Sequence, residues 1–195
     1  MPRPDASAAT LFVVGPSAAT APGSEPLAHA VPEGALVRLV AAIRSAGARE
    51  AAVLATSHGT EAYVVALSAD DACRTVSEGF RRALGSDALT GSGSVVVRQG
   101  ADAARHLLRL ACGLEPLETG DVEAVGQVRR AYEAAQAAHG AGPLVRRVFQ
   151  AALGAGTAAS GAEAVAAVVE DRIEAELGRL DEWRVRRDAF SMLVA

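Results

Sequence analysis

Ala51-Ala-Val-Leu-Ala-Thr-Ser-His-Gly-Thr-Glu-Ala-Tyr-Val-Val-Ala-Leu67 holds two short apolar runs, Ala51–Ala55 and Glu61–Leu67, separated by small and polar residues. Runs of this length that end in turn residues read as a pair of strands. Leu11–Val14 on one side and Ser94–Arg98 on the other are segments of the same kind, the second entered through the Gly91–Gly93 turn. The residues between them have helical spacing. Glu33–Ala46 carries Leu36, Val37, Leu39, Val40 and Ile43, and Asp70–Leu84 carries Val76, Phe80 and Leu84. The predicted order β-α-β-β-α-β is that of a split βαβ, ferredoxin-like unit, so the fold class expected is α+β.

From Ala101 onward the pattern is helical to the end. Asp121–Ala138 puts Val122, Val125, Val128, Tyr132 and Ala135 on one face, and Pro143 opens a further helix where its missing N–H costs little. The last segment carries Val165, Val169, Ile173, Leu177, Leu180 and Trp183 at steps of four and three, with Glu163, Glu170, Asp171, Arg172, Glu174 and Arg179 on the other side. Such a long amphipathic stripe suits a partner helix. The expected division is therefore a ferredoxin-like unit over 8–100, a helical part of the same domain over 101–160, and an amphipathic dimerisation-type helix over 161–195. Gly154-Ala-Gly156-Thr-Ala-Ala159 matches a GxGxxA dinucleotide fingerprint, but the residues before it, Leu144–Leu153, read as helix. A fingerprint needs a strand there and an acidic residue about 20 positions on. Close helix packing explains the small residues better, and no cofactor is expected.

The 195 residues suffice for a real core, and half of them are apolar. No run of about 18 uncharged apolar residues occurs, so a membrane span is not expected. The start, Met1-Pro-Arg-Pro-Asp5, does not read as a secretory signal, and a cytoplasmic protein is expected. Cys73 and Cys112 lie too far apart for a zinc motif or a disulfide framework. A net charge of −4 leaves no broad electrostatic footprint for nucleic acid and argues against DNA as a partner. Any RNA contact falls to local clusters such as Arg129, Arg130, Arg146 and Arg147, which otherwise read as solvated helix faces. The chain contains no lysine and no asparagine.

Three segments together carry a family resemblance. Ala55-Thr-Ser-His-Gly-Thr-Glu-Ala-Tyr63 resembles the Ser-Thr-Cys-Asn-Arg-Thr-Glu-Leu-Tyr signature of glutamyl-tRNA reductases. Leu11–Pro22 is similar to that family's opening strand and Gly-Ile-Asn-His-Lys-Thr-Ala-Pro turn, keeping Gly15, Thr20, Ala21 and Pro22 but holding Ala18 and Ala19 at the histidine and lysine. Ala103–Tyr132 follows a third family segment through His106, Arg109, Gly113, Leu114, Gly120, Gly126, Gln127 and Val128, and departs from it at Pro116 and Val122. The resemblance implies that Ser57 stands where the family has its acyl-accepting cysteine, with His58 and Gly59 at the asparagine and arginine. It further implies substrate-binding positions at Thr56, Thr60, Glu61, Gly113, Glu115 and Gln127, and a final helix similar to the start of the family's dimerisation helix. The family's nucleotide-binding domain precedes that helix, and the chain has no room for one.

In the family the thiolate takes the glutamyl group from tRNA as a thioester, which hydride from NADPH then releases. A hydroxyl at Ser57 needs a general base to act as a nucleophile. His58 is adjacent, but in an extended backbone the two side chains point to opposite faces; His106, which matches the histidine of the family segment, is by that resemblance the better candidate partner. Cys112, at a family serine, is weighed as a displaced nucleophile and reads more simply as a small buried hydrophobe. Gly59 removes an arginine that could grip a carboxylate through two parallel hydrogen bonds. The expected function is a truncated, non-reducing homologue kept for binding or regulation beside tetrapyrrole synthesis, with aminoacyl-tRNA and a homodimer or a full-length homologue as partners. The alternative is an aminoacyl-tRNA-dependent acyl transferase using Ser57 or Cys112.

Overall fold

Leu11, Phe12, Val13 and Val14 are all buried because β1 (Thr10–Pro16) lies inside a sheet covered on both faces. A computed structural model supplies the structure, and it describes residues 9–16, 31, 34–56, 59–85, 95–114, 121–159 and 166–194, excepting the side chains of 56, 121–123, 166–169 and 185–194. With β2 (Glu50–Thr56), β3 (Gly59–Ala66) and β4 (Val95–Gln99), β1 forms a four-stranded sheet in the order β2-β3-β1-β4. Every neighbouring pair is antiparallel, with Val13 opposite Tyr63, Val53 opposite Ala62 and Val14 opposite Val97. β1 and β2 therefore run parallel with β3 between them. The ladders extend the expected strands: β1 continues to Pro16, and the hairpin pairs out to Thr56 opposite Gly59, past the turn-forming residues that marked its ends in the sequence.

Alternation along the strands sorts side chains into two cores. Phe12, Val14, Val53 and Val64 meet α1 (Ala35–Ser45) and α2 (Ala69–Leu84) through Leu39, Val40, Ile43, Val76 and Phe80. The two helices cross closely at Gly79, where a Cβ would stand 2.4 Å from Ile43 Cγ1. Ser68 caps α2 by accepting from the Asp71 N–H at 3.1 Å, and Gly85 ends it at φ 72°. Leu11, Val13, Leu54, Tyr63 and Val65 point the other way, toward α3 (Ala101–Ala111), α4 (Asp121–Ala137) and α5 (Pro143–Ala159), with α6 (Ala166–Val194) packed outside them. The molecule is thus a mixed α/β fold of one small antiparallel sheet and, among the described residues, six helices.

Two segments singled out in the sequence are placed here. Part of the stripe read as suited to a partner helix packs within the chain, with Ile173, Leu177 and Leu180 buried in the core with α3 and α5. Periodicity reveals an apolar face but not which surface covers it. The GxGxxA segment lies inside α5, and a Cβ on Gly156 would stand 2.4 Å from the Ala111 carbonyl oxygen. Its small residue permits close helix packing, as expected. Among the described residues no helix is long and apolar enough to cross a membrane.

The exposed edge of β2 is closed by the turn after α4. Ala51 N–H donates to the Gly140 carbonyl at 2.9 Å. Next to it the buried carboxylate of Glu50 accepts from the first-turn amides of α5, Leu144 N–H at 3.2 Å and Val145 N–H at 2.7 Å. Those amides have no partner within the helix, and the anion sits at its positive end.

Candidate functional site

Glu61 and Tyr63 are two apart on β3 and so share the face that meets α3. The Glu61 side chain fits because Gly15 lies beside it on β1, where a Cβ would be 2.9 Å from Glu61 Cγ. Its carboxylate is held at both oxygens. Oε2 accepts from the Tyr63 hydroxyl at 2.9 Å, and Oε1 lies 2.8 Å from Nε2 of His106 on α3. The side chains of His106 and Glu61 are only 10% and 18% exposed, so this contact is shielded from water. With the carboxylate as acceptor, the shared proton belongs on Nε2, which fixes the imidazole's orientation and tautomer. Tyr63 is itself fixed by Phe149 of α5, edge-on at 5.5 Å, and Phe149 stacks on Tyr132 of α4 at 6.0 Å. The result is a carboxylate–imidazole pair held by three helices and the sheet.

Gly59 begins β3 at φ +135°, a conformation that side-chain-bearing residues rarely adopt. A Cβ there would stand 2.7 Å from Cγ of Pro16. The backbone and its neighbour are therefore both shaped to a glycine, at the position where the resemblance calls for an arginine.

The other expected positions separate. Thr56 ends β2, paired with Gly59, while Ser57, His58 and Glu115 lie outside the described residues. Thr60 follows the alternation of Ala62 and Val64, which meet α1 and α2, and so sits on the sheet face away from His106. Gly113 has a structural role: at φ +71° it ends α3, with Gly113 N–H donating to Leu110 O and Leu114 N–H to Arg109 O. That pair of bonds is a Schellman ending. Gln127 is buried on α4, and its Oε1 has no hydrogen-bond partner among the described residues. Arg109 ion-pairs with Glu170 of α6, as a salt-bridged helix residue does. Burial pushes the Cys112 thiol above its ordinary pKa, and Arg172 offsets this only in part. That thiol is kept protonated and is a poor nucleophile. Cys73 is shifted the same way by burial and by Asp70. Among the described residues no cluster of ligating side chains could hold a metal ion.

Sequence reasoning placed Glu61 and His106 in the site without pairing them. It also missed Tyr63 as the second support of the carboxylate and Gly15 as the space it needs. The 61/63 spacing on a strand was the available signal.

The profile of the family described as Glutamyl-tRNAGlu reductase, N-terminal domain, matches residues 14–161. The glutamyl-tRNA reductase of Ectopseudomonas mendocina is 36% identical over 122 residues, 62% of this chain and 28% of that protein. That of Halobacterium salinarum is 42% identical over 108 residues, 55% of this chain and 23% of its own length. Among solved structures, glutamyl-tRNA reductase from Methanopyrus kandleri superposes with a TM-score of 0.54 at 27% identity, covering 77% of this chain and 34% of that one. The chain thus spans about a quarter to a third of the length of these relatives.

Proposed function

The chain belongs to the glutamyl-tRNA reductase N-terminal domain family, and on that premise we propose that it is a non-reducing homologue that binds aminoacyl-tRNA in a regulatory or accessory role beside tetrapyrrole biosynthesis. We read its sheet as the ferredoxin-like split βαβ, its final helix as dimerisation-type and its setting as cytoplasmic, where charged tRNA is available.

One observation carries the reading. Gly59 is held at φ +135° against Pro16, where the resemblance places the arginine suited to gripping a substrate carboxylate. Losing such a buried charged partner typically costs about 2–5 kcal/mol of binding. Glu61 and His106 remain paired beside it. The scaffold is kept while the grip on the acid is gone. Ser57 stands at the family nucleophile, and a hydroxyl there gains the ~10²–10⁴-fold of general base catalysis only if a base is positioned on it. Cys112 offers no substitute, since its thiol is buried and its pKa raised.

Intact-mass measurement after incubation with a panel of charged tRNAs tests this. The expected result is binding with no covalent adduct and, with NADPH present, no glutamate-1-semialdehyde. A stoichiometric aminoacyl adduct that disappears in Ser57→Ala overturns the reading.

A further inference from the structure

Seven arginines on the described helices are engaged by carboxylates. On α2, Arg74 pairs with Asp71, and Arg81 and Arg82 pair with Glu78. Arg105 and Arg109 of α3 reach Glu174 and Glu170 of α6, while Arg179 and Arg184 pair along α6 itself. Arg38 of α1 and Arg172 of α6 stand singly without a carboxylate partner among the described residues, and four more arginines lie in pairs on two adjacent helices. Arg129 and Arg130 of α4 and Arg146 and Arg147 of α5 are exposed, and no ion pair or hydrogen bond engages any of them among the described residues.

Their surroundings do not neutralise them. The α5 segment contains no acidic residue, and it puts Arg146 in its first turn, at the positive end of the helix, where a cation is electrostatically disfavoured. Glu50 satisfies that end but is buried beneath it. On α4 the exposed carboxylate within helical reach of Arg129 and Arg130 is Glu133, and it pairs with neither. The two helices pack against each other across a short turn, so the four guanidinium groups belong to one helical hairpin. In a chain of net charge −4, these are four exposed cations on one hairpin that no carboxylate of the described residues engages.

We infer that the exposed face of the α4–α5 hairpin is a phosphate-backbone contact surface for RNA, with Arg129, Arg130, Arg146 and Arg147 as its contacts. The inference rests on the proposed aminoacyl-tRNA role and locates where that partner lies. Guanidinium forks suit phosphate oxygens, and arginines left without carboxylates are free to take them. Contacts of this kind read no sequence. They position the RNA and make its binding depend on salt.

The test is fluorescence anisotropy of a labelled, uncharged tRNA transcript against the intact protein across a salt series. Wild type is compared with R129Q/R130Q/R146Q/R147Q, with the same four positions changed to lysine, and with R74Q/R81Q/R82Q on α2. Circular dichroism confirms that each variant is folded. Removing the four charges is expected to weaken binding at least ~10-fold and to lower the slope of log affinity against log salt by about 3, from ~0.7–0.9 per phosphate contact. The lysine variant is expected to keep most of the slope, and the α2 variant all of it. Wild-type affinity and slope in the glutamine variant overturn the surface while leaving the aminoacyl-tRNA reading intact. If wild type binds an unrelated duplex RNA as tightly as tRNA, and through these four arginines, the surface stands and the aminoacyl-tRNA reading falls. No RNA binding by wild type at about 50 mM salt overturns both.

Discussion

Glu61 shows how much of the site one residue pair can organise: its two oxygens meet a phenol from its own strand and an imidazole from α3, 45 positions along the chain. Glu61 and His106 could both be named from the sequence as candidates for the site. Their pairing could not, because it depends on α3 crossing the sheet face that carries odd-numbered β3 residues. Gly59 is the reverse case. Its identity was legible as a departure from the resemblance, whereas its φ of +135° and its contact with Pro16 belong to the structure. They lead to a prediction: Gly59→Arg will not restore a carboxylate grip, and will destabilise the fold by about 1–3 kcal/mol through backbone strain. Urea denaturation measures the cost, and an unchanged midpoint would show that the strand accepts a side chain there. A second prediction concerns Cys112. Its folded pKa is raised, so the neutral thiol is the favoured form, and its stabilising effect holds below the unfolded pKa of ~8.5 and is lost as pH rises through the folded value. Alkylation with iodoacetamide at pH 7 is expected to be much slower than for a free thiol and to accelerate only in alkaline solution. Rapid stoichiometric labelling at neutral pH contradicts this.

Among the elements, the strands were the most legible, because β1, β2 and β3 are covered on both faces and so read as nearly continuous apolar runs. Their ends were not, since Pro16 and Gly59 look like turn residues yet continue the ladder. The start of α5 was marked by Pro143, but its anchor was invisible: Glu50 lies 94 residues before Leu144 and just outside the expected strand. Glu50→Ala is predicted to leave two buried amides unsatisfied and to cost about 2–4 kcal/mol. Glu50→Gln, which keeps one acceptor oxygen, is expected to lose less. The loss should be local as well as global, so hydrogen exchange at Leu144 and Val145 is the decisive readout. Unchanged protection of those amides in Glu50→Ala removes the carboxylate as the helix anchor.

For the whole molecule, the question is what the last helix holds together. A stripe of Ile173, Leu177, Leu180 and Trp183 looks the same in sequence whether its partner is another copy or the chain's own body. In the structure Ile173 is fully buried, Leu177 and Leu180 nearly so, and Trp183 is packed against the same core. Glu170 and Glu174 reinforce the docking through Arg109 and Arg105, which flank His106 on α3. Exposed ion pairs of this kind contribute little, so the apolar contacts dominate, at about 1.5–3 kcal/mol for each fully buried side chain as an upper estimate. Any self-association through this helix must then use surface that those three residues leave free. Truncation after Ser160 is therefore predicted to lower Tm by several degrees and to produce aggregation, because it uncovers the apolar face of α3 and α5. Light scattering and thermal denaturation on the two proteins decide the matter. A truncated protein that keeps its Tm and falls cleanly from dimer to monomer assigns the stripe to a second subunit.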